Sequence, residues 1–357
     1  MRRLPSIIAA GLCLCALMAR GALAEVAWSN ESWKTILKTA KSENKYVFID
    51  FFTTWCGPCK TMDKETYAEK GVSGFLNGMV PVKYDAEKGA GLEVAKKFRI
   101  SVYPTLVLLG PDGKEIDRYV GFLNASDFLR IMKEYQNGVG TIADFEQRAK
   151  KNPADAATWK TLGTKYADAG RLKESVAALD KYLELDPDVA GDDKGEMLYT
   201  IAETHYQGES YDKAVRAYEA AIKEFSDEDW IDVTLTRLAR AHHKAGNRVK
   251  CISTYMSYVN RHPDDPKALN SFAWFCATRK VGFDEALPIA LKAVELSGRA
   301  PGNLDTLAEL YYAMGQYDKA ISIGVEAASK ETDDAYFTDQ VKKFRKAKEE
   351  AGKRAQN

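Results

Sequence analysis

The stretch Trp55-Cys56-Gly57-Pro58-Cys59-Lys60 decides how the first part of this 357-residue chain folds. It closely follows the apolar run 46–52, whose length and aromatic and β-branched content are typical of a buried strand. The two cysteines therefore lie where a strand gives way to a helix. At a helix start, unpaired backbone N–H groups and the positive end of the helix dipole favour a thiolate. The pattern predicts a dithiol/disulfide redox centre.

From residue 28 to about 135, the sequence alternates between helical and strand patterns. A first helix follows Ser29 or Asn30 as its N-cap, and Gly110-Pro111-Asp112-Gly113 is a hairpin signal between two strands. The predicted elements are helix 33–43, strand 46–52, a helix from the cysteines to about 68, strand 79–84, helix 92–98, strands 105–109 and 115–120, and helix 124–135. From strand 46–52 onward, the order of the predicted elements is βα, βα, ββα.

Three features carry a resemblance to the thioredoxin family. Residues 55–60 match its active-site motif at every position, and Asp50 stands six residues before the first cysteine, where the family places a buried acid. Tyr103-Pro104-Thr105 stands where the family has a cis-proline before a strand. Residues 25–137 thus resemble a thioredoxin domain, which implies a central mixed sheet flanked by helices. Within the family, Glu65-Thr66-Tyr67 most resembles the exported subgroup, which includes the C-terminal domain of membrane thiol:disulfide interchange reductases.

The position of the two cysteines predicts their roles. We expect Cys56 to be the nucleophile, with the lower pKa and the exposed sulfur, and Cys59 to be the more buried resolving thiol. Asp50, buried beneath them, is predicted to accept the proton of Cys59, although it could also be a strand-end aspartate without a chemical role. The resemblance implies a cis Pro104 beside which a substrate strand docks. Trp55, Gly57 and Pro58 complete the predicted site.

One position departs from the family pattern. The family often places a lysine near the buried acid on the next strand, but here Pro81 stands nearest that position. Lys83 lies on the same face of the strand, about 7 Å further along. The sequence therefore does not predict that a lysine tunes Asp50.

Cys56 and Cys59 could also be half of a zinc site or a structural disulfide. A structural zinc ion needs four ligands, and the chain has no second Cys-x-x-Cys and no paired histidine motif. Its four histidines share no spacing suited to a metal. We therefore predict no metal and no cofactor beyond the redox-active disulfide Cys56–Cys59.

Residues 1–24 have the features of a cleavable signal peptide. Arg2 and Arg3 are followed by the short apolar segment 7–18, and Ala22-Leu23-Ala24 fits the signal peptidase pattern, with Glu25 as the new N-terminus. An uncleaved anchor is the alternative. Export would place the protein in the periplasm, where disulfides persist.

After residue 140 the pattern becomes entirely helical and repeats. A helix at 141–151 precedes five units that match the tetratricopeptide pattern of helix–turn–helix in about 34 residues. Small residues in equivalent slots are Ser175, Ala214, Cys251, Ala286 and Ala320, spaced by 39, 37, 35 and 34 residues. In the fourth unit we place Asn270, Ala273 and Trp274 on the inner face. The predicted domains are a signal peptide 1–24, a thioredoxin-like domain 25–137, a linker helix 138–155, an all-α solenoid of five repeats 156–335, and a capping helix and tail 336–357.

The cysteines of the repeats, Cys251 and Cys276, are predicted to be buried and inert, with a Cys251–Cys276 disulfide as the alternative. The first helices of such repeats line a concave surface that usually binds peptides or proteins. Here the predicted lining is Tyr199, Glu203, Tyr206, Arg240, His243, Phe275, Arg279, Asp305, Glu309 and Tyr312. This mixed, aromatic surface suits a peptide or protein ligand.

These patterns together predict an exported thiol–disulfide oxidoreductase that reduces or exchanges disulfides in protein clients. The Gly-Pro dipeptide favours a reductant, which needs a membrane thiol reductase as its electron donor. The 51 basic and 51 acidic residues balance, so nucleic acid is excluded as a partner class. The alternative function is an adaptor in which the repeats bind partners and the redox domain is inactive or only a sensor. The repeats could also be only a spacer or a dimerisation surface.

Overall fold

The computed structural model describes residues 25–332 and 335–356. The chain divides between residues 147 and 148 into two compact units, and each is described by itself. The predicted signal peptide lies outside the described residues. Within the described residues, no helix is both long enough and apolar enough to cross a membrane.

The first unit contains a four-stranded mixed sheet. Its strands are β1 (Val47–Phe52), β2 (Val80–Asp85), β3 (Thr105–Leu109) and β4 (Glu115–Val120). The order is β2-β1-β3-β4, with β1 parallel to β2 and the other neighbours antiparallel. The sheet is thus of the predicted α/β type, and β1 is one of its two inner strands.

Six helices and one π-helical turn accompany the sheet along the chain. They are α1 (Trp33–Glu43), α2 (Gly57–Thr61), the π-helical turn Met62–Thr66, α3 (Lys70–Asn77), α4 (Ala90–Lys97), α5 (Ala125–Gln136) and α6 (Ile142–Lys151). The N-cap of α1 is Ser32, whose hydroxyl accepts from the Thr35 N–H, and not Ser29 or Asn30. Helix α3 was not predicted, because two glycines lower its helix propensity, yet it buries Val72 and Leu76.

Two hydrophobic clusters contain alternate residues of β1, because successive side chains of a strand point to opposite faces. Val47, Ile49 and Phe51 belong to the cluster that includes residues of α1 and α4. Phe48 belongs to the other, with residues of α3 and α5 and with Met62 and Tyr67. Along β1, Asp50 alternates with Val47, Ile49 and Phe51, so it lies on the same face of the strand as Phe48.

In the described residues of the second unit, helices follow one another with short connections. They are α7 (Ala156–Asp168), α8 (Leu172–Leu185), α9 (Gly191–Gln207), α10 (Tyr211–Glu224), α11 (Glu228–Lys244), α12 (Arg248–Arg261), α13 (Pro266–Arg279), α14 (Phe283–Leu296), α15 (Pro301–Ala313), α16 (Tyr317–Lys330) and α17 (Ala335–Gln356). Each odd-numbered helix from α7 to α15 packs on the even-numbered helix that follows it, and α17 packs on α16. This is an all-α repeat architecture, as predicted.

Small side chains allow the two helices of each repeat to approach closely. The five predicted slot residues, from Ser175 to Ala320, are all fully buried. In the first repeat (α7 and α8), the Ser175 hydroxyl donates to the Gly163 carbonyl at 2.8 Å. A Cβ on Gly163 would lie 2.4 Å from the Leu179 side chain, so the crossing requires a glycine.

The predicted inner face of the fourth unit is wrong by one residue. Trp274 is 39% exposed and Asn270 is half-buried, whereas Leu269, Phe272, Ala273 and Cys276 are buried. Both Lys280 and Gly282 take left-handed conformations in the turn before α14. This turn changes the spacing between α13 and the slot residue Ala286, so counting back from Ala286 misplaces the face.

Candidate active site

The two cysteines lie at the start of α2, just beyond the carboxyl end of β1. Cys56 is the N-cap residue of α2, and it forms a disulfide with Cys59. The backbone N–H of Cys59 donates to the sulfur of Cys56 at 3.1 Å. An N–H of the first helical turn thus already points at the sulfur predicted to be the nucleophile, as a helix start should provide.

The exposed fractions of the two cysteines are 3% for Cys56 and 2% for Cys59. The expectation that Cys56 has an exposed sulfur and Cys59 a more buried one is therefore wrong for the disulfide form. In this form both sulfurs lie at the first turn of α2. The two residues differ by their place at the helix start and not by burial.

Asp50 is fully buried in β1, and a lysine lies beside it. The parallel register pairs Asp50 with Lys83 of β2 and pairs Phe48 with Pro81. The ammonium of Lys83 lies 3.4 Å from a carboxylate oxygen of Asp50. The sequence left open whether a lysine tunes Asp50, and the register between the strands, which cannot be read from the sequence, places Lys83 directly opposite.

Burial raises the pKa of Asp50 from its ordinary 3.8 to about 6, although the Lys83 ammonium lowers it and Asp63 raises it. Burial also raises the pKa of the Tyr67 hydroxyl, and the Asp50 carboxylate adds to this effect. Within the described residues, the Asp50 Oδ1 and the Tyr67 hydroxyl are buried without a hydrogen-bond partner. Asp50 is therefore a carboxyl group that can take up and release a proton near neutral pH.

Pro104 precedes β3, and the Tyr103–Pro104 peptide bond is cis, the isomer that the resemblance implies. Thr105 pairs with Phe51 at the carboxyl end of β1, the end from which the cysteines follow. The Trp55 ring packs edge-on against the Tyr103 ring, with 5.9 Å between the ring centres, and its indole N–H donates to the Glu87 carboxylate. The structure thus brings Trp55, Pro104 and the disulfide to one end of the sheet.

Gly57 and Pro58 are the first residues of α2. Proline suits this position, because its missing N–H would have no partner in the first turn and its φ is already helical. A Cβ on Gly57 would meet no atom within 4 Å. Steric packing therefore gives no reason for this glycine.

Residues 33–136 match the thioredoxin-like domain family, and residues 196–227 match the tetratricopeptide repeat family. A thioredoxin from Chlamydia caviae is 36% identical over 90 residues, which are 25% of this chain and 81% of that protein. The chain belongs to the thioredoxin family.

A second relative is thiol:disulfide interchange protein DsbD 2 of Pseudomonas aeruginosa, 31% identical over 97 residues, or 26% of this chain. The chain spans only 16% of the length of that relative. Among solved structures, the tetratricopeptide protein YrrB, described as having an unusual peptide-binding site, is 18% identical. It covers 56% of this chain, and this chain covers 97% of YrrB, with a TM-score of 0.40.

Asp63, a residue of the thioredoxin domain for which no role was predicted, forms an ion pair with Lys83. Asp63 lies in the π-helical turn that continues α2. It is four residues after Cys59, and helical spacing places residues four apart on one face. This spacing of four residues from Cys59 could have indicated from the sequence that Asp63 lies near the site.

The predicted lining of the repeat groove is partly closed. Phe275 and Asp305 are buried, and the Asp305 carboxylate accepts from the Tyr336 hydroxyl of α17 at 3.0 Å. Glu309 pairs with Lys343, also of α17. The capping helix therefore covers these acids of α15, which the repeat pattern alone places on the open surface.

Of the residues predicted to line the groove, Arg240 of α11 and Arg279 of α13 are exposed, and Trp274 of α13 is exposed as well. In the part of the chain that the structure describes, neither arginine pairs with a carboxylate. By contrast, Glu203 of the second unit accepts from Tyr218 and pairs with Arg237 at 3.5 Å. The third and fourth repeats therefore expose two arginines without a carboxylate partner in the described residues, and one indole.

Cys251 and Cys276 are free and fully buried, so the alternative of a disulfide between them is not found. Burial raises the pKa of the Cys251 thiol to about 11 and also raises that of Cys276. Both belong to one apolar cluster of the repeats. They are core residues, as predicted.

Proposed function

We propose that the protein is an exported thiol–disulfide oxidoreductase that reduces disulfides in protein clients. The observation that carries this proposal is the Cys56–Cys59 disulfide at a helix start, in the domain that buries Asp50 with a pKa of about 6. A reversible disulfide and a proton acceptor that titrates near neutral pH are the two groups that disulfide exchange requires. We propose that the cycle needs no bound cofactor or metal.

The reaction begins with the reduced protein. The thiolate of Cys56 attacks one sulfur of a client disulfide, and the other client sulfur leaves as a thiolate that takes a proton from water. Asp50 removes the proton of Cys59, whose thiolate attacks the Cys56 sulfur and releases the second client thiolate. The client gains two electrons, and the protein is left with the Cys56–Cys59 disulfide. The N–H groups at the start of α2 favour the Cys56 thiolate.

Trp55 and the backbone beside Pro104 are proposed to hold the client. Trp55 is exposed and Pro104 precedes β3, so a client strand can lie against the backbone at this end of the sheet. Gly57 and Pro58 shape the turn between the cysteines.

Reduction is proposed as the direction of electron flow. Thioredoxin, with Gly-Pro between its cysteines, has a potential of about −270 mV, against about −120 mV for a strong oxidant of the same fold. Residues 1–24, with the features of a signal peptide, support export to the periplasm. A reductant there needs a supply of electrons, for which we propose a membrane thiol reductase. The N-terminal residue of the protein isolated from the periplasm is expected to be Glu25.

The first helices of the third and fourth repeats are proposed to bind a protein segment. The support is that Trp274, Arg240 and Arg279 are exposed on these helices and that neither arginine pairs with a carboxylate in the described residues. An indole and arginines are the side chains enriched in strong protein contacts. The ligand would supply carboxylates and at least one apolar side chain.

Insulin reduction by dithiothreitol tests the redox function. The wild-type protein is expected to accelerate the reaction, and Cys56→Ser should lower the added rate by at least about 100-fold, because no other sulfur can make the first attack. Cys251→Ser is the matched control and should keep the wild-type rate. A wild-type rate no faster than that of Cys56→Ser would favour the adaptor function instead.

Trapping tests the clients and the groove together. Cys59→Ser cannot resolve mixed disulfides and should accumulate clients on Cys56, visible on non-reducing gels and identified by mass spectrometry. Adding Trp274→Ala to Cys59→Ser should lower client capture about tenfold, as the loss of a strong contact does. Val249→Ala, an exposed apolar residue of α12, is the control. Equal capture by both double variants would contradict the groove proposal.

A further inference from the structure

Lys83 lies between two carboxylates in the thioredoxin domain. Its ammonium is 3.4 Å from the buried Asp50 and forms a closer ion pair with Asp63. The Asp63 side chain is 46% exposed, and that of Lys83 is 15% exposed. One cation is therefore shared between a fully buried acid and an acid at the surface.

Aromatic rings surround the same ammonium. Its distance to the ring centre is 4.8 Å for Phe52, 5.5 Å for Tyr67 and 5.6 Å for Trp28. The faces of aromatic rings attract a cation and hold it in place. The ammonium can thus be shared between the two acids without leaving this site.

A solvent-open cavity of about 430 Å³ begins at this ammonium. Trp28, Asp63, Tyr67 and Lys83 line it, together with Val26, Ala68 and Glu25, which adds a third acid. Asp50 does not line the cavity, but Lys83 and Tyr67, which both interact with Asp50, do. These two side chains therefore link Asp50 to a space that solvent can enter.

Sharing the cation changes what Asp50 can do. A cation paired with one buried carboxylate alone stabilises the ionised form strongly and makes that carboxylate a weak proton acceptor. A second carboxylate that draws the same cation outward reduces this stabilisation and adds its own negative charge. Asp63 has both effects on Asp50, while it never contacts the sulfurs through any described hydrogen bond.

We propose that Asp63 is a positioning residue that holds Lys83 on the cavity side, so that Asp50 accepts the Cys59 proton and releases it to water in the cavity. This inference rests on the proposed redox function. In each cycle one proton passes from the Cys59 thiol to Asp50 while the Cys59–Cys56 bond forms and the bond from Cys56 to the client breaks. The same proton leaves Asp50 through the cavity before the next reduction.

The test is a pH titration of the Asp50 carboxyl by ¹³C NMR in the oxidised full-length protein, with Asp50→Asn to assign the signal. Asp63→Asn should lower the titration midpoint by about 0.5 to 1 pH unit, because Asp63 is partly exposed and its effect is screened. Lys83→Met should raise the midpoint by about 1 pH unit. Glu65→Gln removes an exposed acid two residues from Asp63 and should leave the midpoint unchanged.

Insulin reduction supplies the second readout. Asp63→Asn should slow the reaction about threefold at pH 7, since a weaker base removes the Cys59 proton less readily, and Glu65→Gln should not. An unchanged Asp50 midpoint in Asp63→Asn overturns the proposal, as does a lowered midpoint with an unchanged rate. If wild-type protein reduces no insulin, the redox function fails, while the NMR midpoints still decide whether Asp63 controls the charge of Asp50.

Discussion

The described chain carries two pairs of cysteines, and burial does not distinguish them. Cys56 and Cys59 of the thioredoxin domain are 3% and 2% exposed, and Cys251 and Cys276 of the repeats are both 0% exposed. The first pair forms a disulfide, and the second remains as two free thiols. Burial alone therefore does not decide which cysteines form a disulfide.

The surroundings of the two pairs differ in backbone and charge. Cys56 precedes a helix, and its sulfur accepts an N–H of the first turn, beyond a strand that carries the buried Asp50. Cys251 lies inside α12 with its own N–H bonded to the Asn247 carbonyl, in an apolar cluster that also includes Cys276. Apolar burial raises the pKa of a thiol, and the N–H groups of a helix start counteract this effect. A cysteine becomes reactive through the polar groups around it.

The largest expected difference between the pairs is in alkylation. With the protein reduced at pH 7, iodoacetamide should modify Cys56 at least about 100-fold faster than Cys251 or Cys276, because the reagent attacks thiolates. Peptide mass spectrometry over time gives the three rates, and in guanidinium chloride they should converge. A rate for Cys276 within tenfold of that for Cys56 would remove the contrast between the pairs.

Asp50 is the group that the thioredoxin domain has and the repeat cluster lacks, and its burial should cost stability. Because its pKa in the folded protein is about 6 and its ordinary value is 3.8, the folded state binds the proton more tightly. The contribution of Asp50 to stability is therefore most favourable below pH 4, falls as the pH rises through 6, and is less favourable by up to about 3 kcal/mol above pH 7.

Asp50→Asn removes this penalty and tests it. We expect the free energy of unfolding to rise by about 2 kcal/mol at pH 8 and to be unchanged at pH 4. Urea unfolding followed by circular dichroism measures it, with Glu65→Gln as the control that should gain nothing. An equal gain at both pH values would mean that the charge of Asp50 is not the cause.

A smaller effect on stability is expected when Cys276 of the second pair is replaced. Cys276→Ser places a hydroxyl in an apolar core and should lower the free energy of unfolding by about 1 to 2 kcal/mol more than Cys276→Ala does. Urea unfolding followed by circular dichroism compares the two. Both variants should reduce insulin within about twofold of the wild-type rate, since this thiol has no part in the exchange. A redox defect in either would show that the two pairs are coupled.

Local patterns predicted much of the fold. Strands 105–109 and 115–120 have the predicted bounds, because the turn between them is marked by glycines, proline and aspartate. The slot residues of the repeats were found by their spacing, since each crossing needs a small side chain. Helix α3 was missed, because its glycines hide a helix that tertiary packing stabilises.

The sequence alone determined that Cys56 and Cys59 lie together at the end of a strand, because their spacing and the apolar run before them are local features. Only the tertiary structure decided what surrounds the pair. The parallel register brings Lys83 to Asp50, and the π-helical turn brings Asp63 to Lys83. Burial in the disulfide form also makes the two cysteines nearly equal in exposure. Register and burial arise from contacts between distant segments, and no local pattern encodes them.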